Sequence, residues 1–199
     1  MARRYLSLID YYSPEAPFAT EFRRLLHRLR NNHDEKELKS LLITSATLAE
    51  GKSTTCSFLG ITAAVHKGLK TLLIDCDMRR PNLNRLLNVD RDYGLVEILS
   101  DGFNAMDAIK KTGIDKLDII TSGRQPGNPS TVFDAEAIGT IIEEMKFYYD
   151  LILLDSPPVI PVSDPMLLSP KVDGLLLVLR AGSTQKEVAQ RALDILDST

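Results

Sequence analysis

The run Ala46-Thr47-Leu48-Ala49-Glu50-Gly51-Lys52-Ser53-Thr54 places a glycine, a lysine and two hydroxyls side by side. It fits the pattern G-x-x-x-x-G-K-[ST], with alanine at the first glycine position. Such a loop turns successive backbone N–H groups toward one point, and the helix that follows presents its N-terminus there. Together they cradle a phosphate. In this pattern Gly51 lets the main chain come close, Lys52 reaches the β- and γ-phosphates, and the Ser53 hydroxyl ligates Mg²⁺. A magnesium nucleotide also needs carboxylates opposite its phosphates. Two further runs end in them: Leu72-Leu73-Ile74-Asp75-Cys76-Asp77-Met78-Arg79-Arg80-Pro81 and Leu151-Ile152-Leu153-Leu154-Asp155-Ser156-Pro157-Pro158. Asp75 and Asp77, at i and i+2, share one side of an extended chain. Asp155 ends an apolar run of four, the form whose carboxylate holds magnesium directly or through water. Arg79 and Arg80 either contact phosphate, pair with the aspartates, or form an ion pair at a helix start.

These groups need a scaffold that brings strand ends together. Short apolar runs at Leu41–Ser45, Thr71–Asp75, Leu117–Thr121, Leu151–Asp155 and Leu175–Arg180 are rich in Leu, Ile and Val without alternation. That pattern suits parallel strands buried on both faces. Helical periodicity lies between them. Ile138, Ile141, Ile142 and Met145 recur at helical spacing, and so do Val188, Ala189, Ala192, Leu193 and Leu196 behind a Thr184-x-x-Glu187 capping box. A helix is also expected from about Ser53 to Lys67, directly after the phosphate loop. Phe22, Leu25, Leu26 and Leu29 mark another helix, whose opposite face carries Arg23, Arg24, Arg28 and Arg30. Strand alternating with helix predicts an α/β fold with a mostly parallel central sheet flanked by helices on both faces. Open sheets of this type place ligands at the carboxyl ends of their strands. Residues 1–19 read as an extended N-terminal arm, and 20–199 as one P-loop domain.

The chain has 199 residues, 44% hydrophobic and 26% charged, with 24 Lys plus Arg against 27 Asp plus Glu. That composition excludes disordered and low-complexity classes. A net charge of −3 gives no global reason to bind nucleic acid or an anionic membrane. Two cysteines build no disulfide framework, and Cys56 and Cys76 read as small buried residues of a reducing compartment. His27, His33 and His66 share no ligand spacing with them, so no zinc site is expected. No apolar run approaches the roughly 20 residues of a membrane span, and no secretory signal opens the chain.

The three motifs together resemble the bacterial tyrosine kinases of capsule and exopolysaccharide synthesis, members of the P-loop NTPase superfamily. Asp75-x-Asp77-x-Arg79 corresponds to that family's Walker A′ motif. Tyr93-Gly94-Leu95, Gly123-Arg124-Gln125-Pro126-Gly127-Asn128-Pro129 and Pro157-Pro158-Val159-Ile160-Pro161-Val162-Ser163-Asp164 agree as well. The resemblance implies autophosphorylation on tyrosine with ATP and Mg²⁺. Residues 46–54 would bind the nucleotide, and Lys52 would stabilise the transferring phosphoryl group. Ser53 and Asp77 would hold the metal, with Asp155 acting through water. Asp75 would be the general base, and Arg79 would join the catalytic set. It also implies a transmembrane activator of the polysaccharide export system, so that the chain is cytoplasmic and meets the inner face of the plasma membrane through that partner. Nucleic acid is not expected as a ligand.

The family's self-association helix carries E-x-x-R-x-x-R; here Glu21 and Arg24 match and His27 takes the last position. A homo-oligomer through that helix is the expectation. The usual last strand and tyrosine-rich tail have no counterpart before Thr199. Tyr148 and Tyr149, just before an apolar strand, read as core; Tyr11 and Tyr12 read as an exposed pair. The residues alone do not separate a tyrosine acceptor from water. Two other functions fit the loop: a partition or cell-division ATPase, and a non-catalytic MgATP-binding regulator of polysaccharide assembly. The first carries an extra lysine where this chain has Thr47.

Overall fold

The computed structural model describes residues 8–31 and 37–197. Six strands form one sheet in the order β3-β4-β2-β5-β1-β6. They are β1 (Ser40–Ser45), β2 (Thr71–Asp75), β3 (Lys110–Lys111), β4 (Leu117–Ile120), β5 (Leu151–Asp155) and β6 (Gly174–Val178). All neighbours run parallel except β3, which pairs antiparallel with β4. The expected α/β architecture is therefore present. The two-residue β3 was not legible: two lysines carry no apolar signal and complete an edge.

Alternate side chains of each strand feed opposite faces. Leu42, Leu72, Ile74, Ile120, Ile152 and Leu154 join a core with α5 (Leu95–Asp101) and α7 (Ala135–Met145). Leu41, Ile43, Leu73, Ile119, Leu151 and Leu153 join a second core with α2 (Pro17–Asn31) and α3 (Lys52–Lys67). Burial on both sides explains the absence of alternation in the sequence. α3 lies so close to β2 that a Cβ at Gly60 would sit 2.8 Å from Leu73 Cδ2.

The expected N-terminal arm is corrected in part. Residues 1–7 lie outside the described region, but a turn of helix, α1, spans Leu8–Tyr11, and α2 already begins at Pro17. Tyr12 is not exposed: it packs against Phe18, Phe58 and His66. A proline at the first helical position and an apolar stripe suffice to extend α2 backward. At the other end, α9 (Lys186–Asp197) starts later than the Thr184 capping box implied. The remaining helices are short: α4 (Leu83–Leu86), α6 (Pro129–Val132) and α8 (Asp164–Leu168). Cys56 and Cys76 are both buried and free. Among the described residues no helix is long and apolar enough to cross a membrane.

Candidate active site

β1 delivers the chain into the phosphate loop at Ala46, which is fully buried against Val159 and Ala192. The methyl group that replaces the pattern's first glycine thus has a packed place. The Ser45 hydroxyl donates to Thr47 O at 2.7 Å, and Thr47 N donates to Glu50 Oε2 at 2.6 Å. Glu50 reaches across the fold as well: its other oxygen accepts the hydroxyl of Thr184, in the β6–α9 connection. Ala49 (φ 62°) and Gly51 (φ 96°) both take left-handed conformations, which curl the main chain around the anion position. For alanine that conformation is strained by about 1 kcal/mol. Lys52 opens α3, with Ser53 and Thr54 in its first turn. Leu48 is half exposed beside a cleft of about 210 Å³ lined by Thr47, Ala49, Arg180, Thr184 and Val188.

Register brings the acids to this loop. Asp75 pairs with Asp155 across β2 and β5, and Ile43 of β1 also pairs with Asp155. The Lys52 ammonium is buried among them. It donates to Asp77 Oδ2 at 2.8 Å and lies 3.8 Å from Asp155 Oδ1 and 3.4 Å from the Ser53 hydroxyl. Burial alone would depress its proton affinity; the charges of Asp155 and Asp77, with Asp75 behind, outweigh that and raise it. Lys52 is therefore a fixed cation.

The three aspartates differ. Asp75 accepts Asp77 N on one oxygen and Asn82 N and Leu83 N on the other, all at 3.2 Å. Burial, with Asp155 and Asp77 nearby, pushes its carboxyl well above the ordinary range. Asp77 divides its oxygens between Lys52 and Arg80 N. Asp155 is fully buried and neither oxygen has a hydrogen-bond partner. Burial pushes it up to about 6 despite the Lys52 charge. Buried carboxylates without partners are rare because the desolvation is uncompensated. Two orphaned oxygens beside a serine hydroxyl and a second carboxylate suit a magnesium ion, which takes few protein ligands and retains water. No group of three His, Cys, Asp or Glu side chains converges as a metal cage among the described residues. A site completed by Ser53 and by phosphate oxygens needs none.

Arg79 points elsewhere. Its Nη2 donates to Ser130 Oγ at 2.7 Å, and its Nε lies 3.9 Å from Asp164 Oδ2. Of the readings open in the sequence, the structure shows an ion pair with a distant acid. Asp164, Ser130 and Thr184 were missed as site neighbours. Glu50 was counted in the loop without a task, and Thr184 was read as a helix cap.

A model of the AAA domain family matches residues 49–169, more than half of the chain. The chain is 30% identical to tyrosine-protein kinase YwqD of Bacillus subtilis, over 98% of this chain and 82% of that protein. It belongs to the bacterial tyrosine-protein kinases. The kinase domain of Escherichia coli tyrosine kinase ETK superposes with a TM-score of 0.89 at 28% identity, covering all of this chain and 79% of that one. The cell division ATPase MinD of Pyrococcus furiosus is less similar, with a TM-score of 0.62 at 28% identity over 70% of this chain and 58% of that one. The tyrosine-kinase likeness thus covers nearly the whole chain and the MinD likeness 70% of it, and nucleotide binding follows from both.

Proposed function

We propose that the protein transfers the γ-phosphoryl group of ATP to tyrosine hydroxyls, its own kind included, and so regulates capsule or exopolysaccharide synthesis and export. The convergence of Lys52, Asp77 and Asp155 within hydrogen-bond or ion-pair distance at a phosphate loop carries this reading. The loop amides of residues 46–54 bind and orient the phosphates. Lys52 would exchange Asp77 for the β- and γ-oxygens, and Ser53 and Asp77, with Asp155 through water, would hold magnesium. When bound, that ion neutralises charge developing on the phosphates. Asp75 takes the phenolic proton once an arriving hydroxyl displaces one of its amide contacts. Arg79 would join the set only by exchanging Ser130 and Asp164 for a phosphate oxygen.

The sequence alone does not separate tyrosine from water as acceptor; the tyrosine-kinase relatives support tyrosine. A partition-type ATPase is supported by the partial MinD likeness, but it would carry lysine where Thr47 stands. The Glu21–Arg24 pair, 2.6 Å apart on an exposed face of α2, supports self-association through that helix. A transmembrane activator would bring the chain to the inner face of the plasma membrane.

Labelled ATP and phosphoamino-acid analysis test the reading. Label on tyrosine that disappears in Lys52→Met is expected. Phosphate release stimulated by lipid or DNA, without phosphotyrosine, would replace the reading with the partition type. Tight binding without transfer would leave a nucleotide-dependent regulator.

A further inference from the structure

Of the six tyrosines, Tyr5 lies outside the described residues. Tyr12 packs among aromatic rings, and Tyr149 is buried with its hydroxyl donating to Asp118. Tyr11, Tyr93 and Tyr148 are 60, 49 and 48% exposed. They differ in position. Tyr148 precedes β5 at the amino edge of the sheet, opposite the phosphate loop. Tyr11 ends α1, next to the aromatic cluster that Tyr12 forms with Phe58 of α3. Tyr93 stands at the carboxyl edge. Its carbonyl accepts the Thr121 hydroxyl at 3.2 Å, and Leu95 N and Val96 N donate to Thr121 O and Ser122 O just past β4. Between them, a Cβ at Gly94 would lie 2.1 Å from Thr121 O, so the segment hugs the strand end closely.

The surroundings of Tyr93 suit a phosphate. It lines an open cleft of about 440 Å³ with Arg91, Asp92, Arg124 and Gln125, two guanidinium groups beside Asp92 and the Glu97 that anchors Arg124. The ring stacks on Phe103 at 5.4 Å and 17°, and the Arg124 guanidinium lies 5.4 Å from the ring centroid. Arg124 is anchored through Nε to Glu97 at 3.1 Å, yet its side chain is largely exposed. A phosphorylated phenol brings close to two negative charges and three acceptor oxygens, which arginine forks hold well.

We propose that Tyr93 is a phosphoryl acceptor, served by ATP on a second copy of the chain, and that Arg91 and Arg124 hold the phosphate it then carries. This rests on the tyrosine-kinase reading. The second copy follows from the sheet order: β4 is three places from β1, about 14 Å at ordinary strand spacing. In-line transfer needs reacting atoms within about 3.5 Å. The bond between the γ-phosphorus and its bridging oxygen breaks, and a bond from the Tyr93 oxygen to phosphorus forms. ADP leaves, and the phenolic proton passes to a carboxylate of the donor copy.

The full chain, incubated with MgATP and a synthetic peptide bearing several tyrosines, is mapped by mass spectrometry. Phosphate at Tyr93 is expected. It should be absent in Lys52→Met alone and appear on the Lys52→Met chain when that variant is mixed with Tyr93→Phe. Tyr93→Phe should lose it and still phosphorylate the peptide at the wild-type rate. In the Arg91→Gln/Arg124→Gln variant an added tyrosine phosphatase should strip Tyr93 several-fold faster. A phosphorylated peptide with Tyr93 unmodified overturns the inference and leaves the kinase reading standing. No phosphotyrosine on either substrate overturns both. A Lys52→Met chain left unphosphorylated at Tyr93 in that mixture removes the second copy, and unchanged phosphatase sensitivity removes the arginines.

Discussion

Asp155 and Asp173 sit at opposite ends of neighbouring parts of one sheet and meet opposite conditions. Asp155, at the carboxyl end of β5, is buried with neither oxygen hydrogen-bonded and only the Lys52 ammonium, 3.8 Å from Oδ1, as a counter-charge. Asp173, just before β6, accepts Lys39 N, Ser40 N and the Ser40 hydroxyl on one oxygen and the Lys146 ammonium on the other, at 2.8–3.1 Å. Partial burial would raise the Asp173 carboxyl, but Lys146 and Ser40 hold it below its ordinary value. The amino edge spends its polar groups on joining the N-terminal segment to the last strand. The carboxyl edge leaves an acid unsatisfied where a ligand belongs. A carboxylate that stabilises the fold and one kept for a ligand are thus told apart by their partners, not by burial.

The sharpest break of the carboxyl edge is Lys52→Met. Tyrosine phosphorylation should fall by about 10³-fold or more, read from initial rates, because one preorganised cation on the transferring group is worth that much. Asp155→Asn should abolish transfer too, yet stabilise the nucleotide-free protein by about 3 kcal/mol at neutral pH in urea titrations. The sign follows from its folded-state value of about 6 against 3.8 when unfolded. Stability from this group is present below the lower value and lost as pH rises through the upper one, and asparagine removes that loss. Asp173→Ala should cost about 2 kcal/mol, since it strands two backbone amides. Its contribution has the opposite sign, being lost as pH falls through its depressed value. The two variants should therefore shift the pH–stability curve in opposite directions. The smallest effect is Ala49→Gly, which relieves a left-handed alanine and should add about 1 kcal/mol without changing the site.

The phosphate loop, both aspartate strands and the buried helices were legible because each is encoded over a few adjacent residues. Apolar runs name the strands, and register alone then gathers their ends. What escaped depends on partners far along the chain. Arg79 meets Ser130 and Asp164; Glu50 meets Thr184, 134 residues away. Tyr148 was read as core from its place before a strand. Only Tyr149 turns inward, to Asp118, and it leaves Phe147 and Tyr148 facing solvent. The arm at residues 8–19 misled for a related reason: its aromatic residues find partners on α2 and α3 that local periodicity does not announce.

Glu50 deserves its place among these because it touches two things at once. One oxygen shapes the turn at Thr47, the other grips the hydroxyl that leads into α9. A tug on the last helix is therefore transmitted to the anion cradle through a single side chain, so whatever leans on that end of the molecule also holds a lever on its grip of the nucleotide.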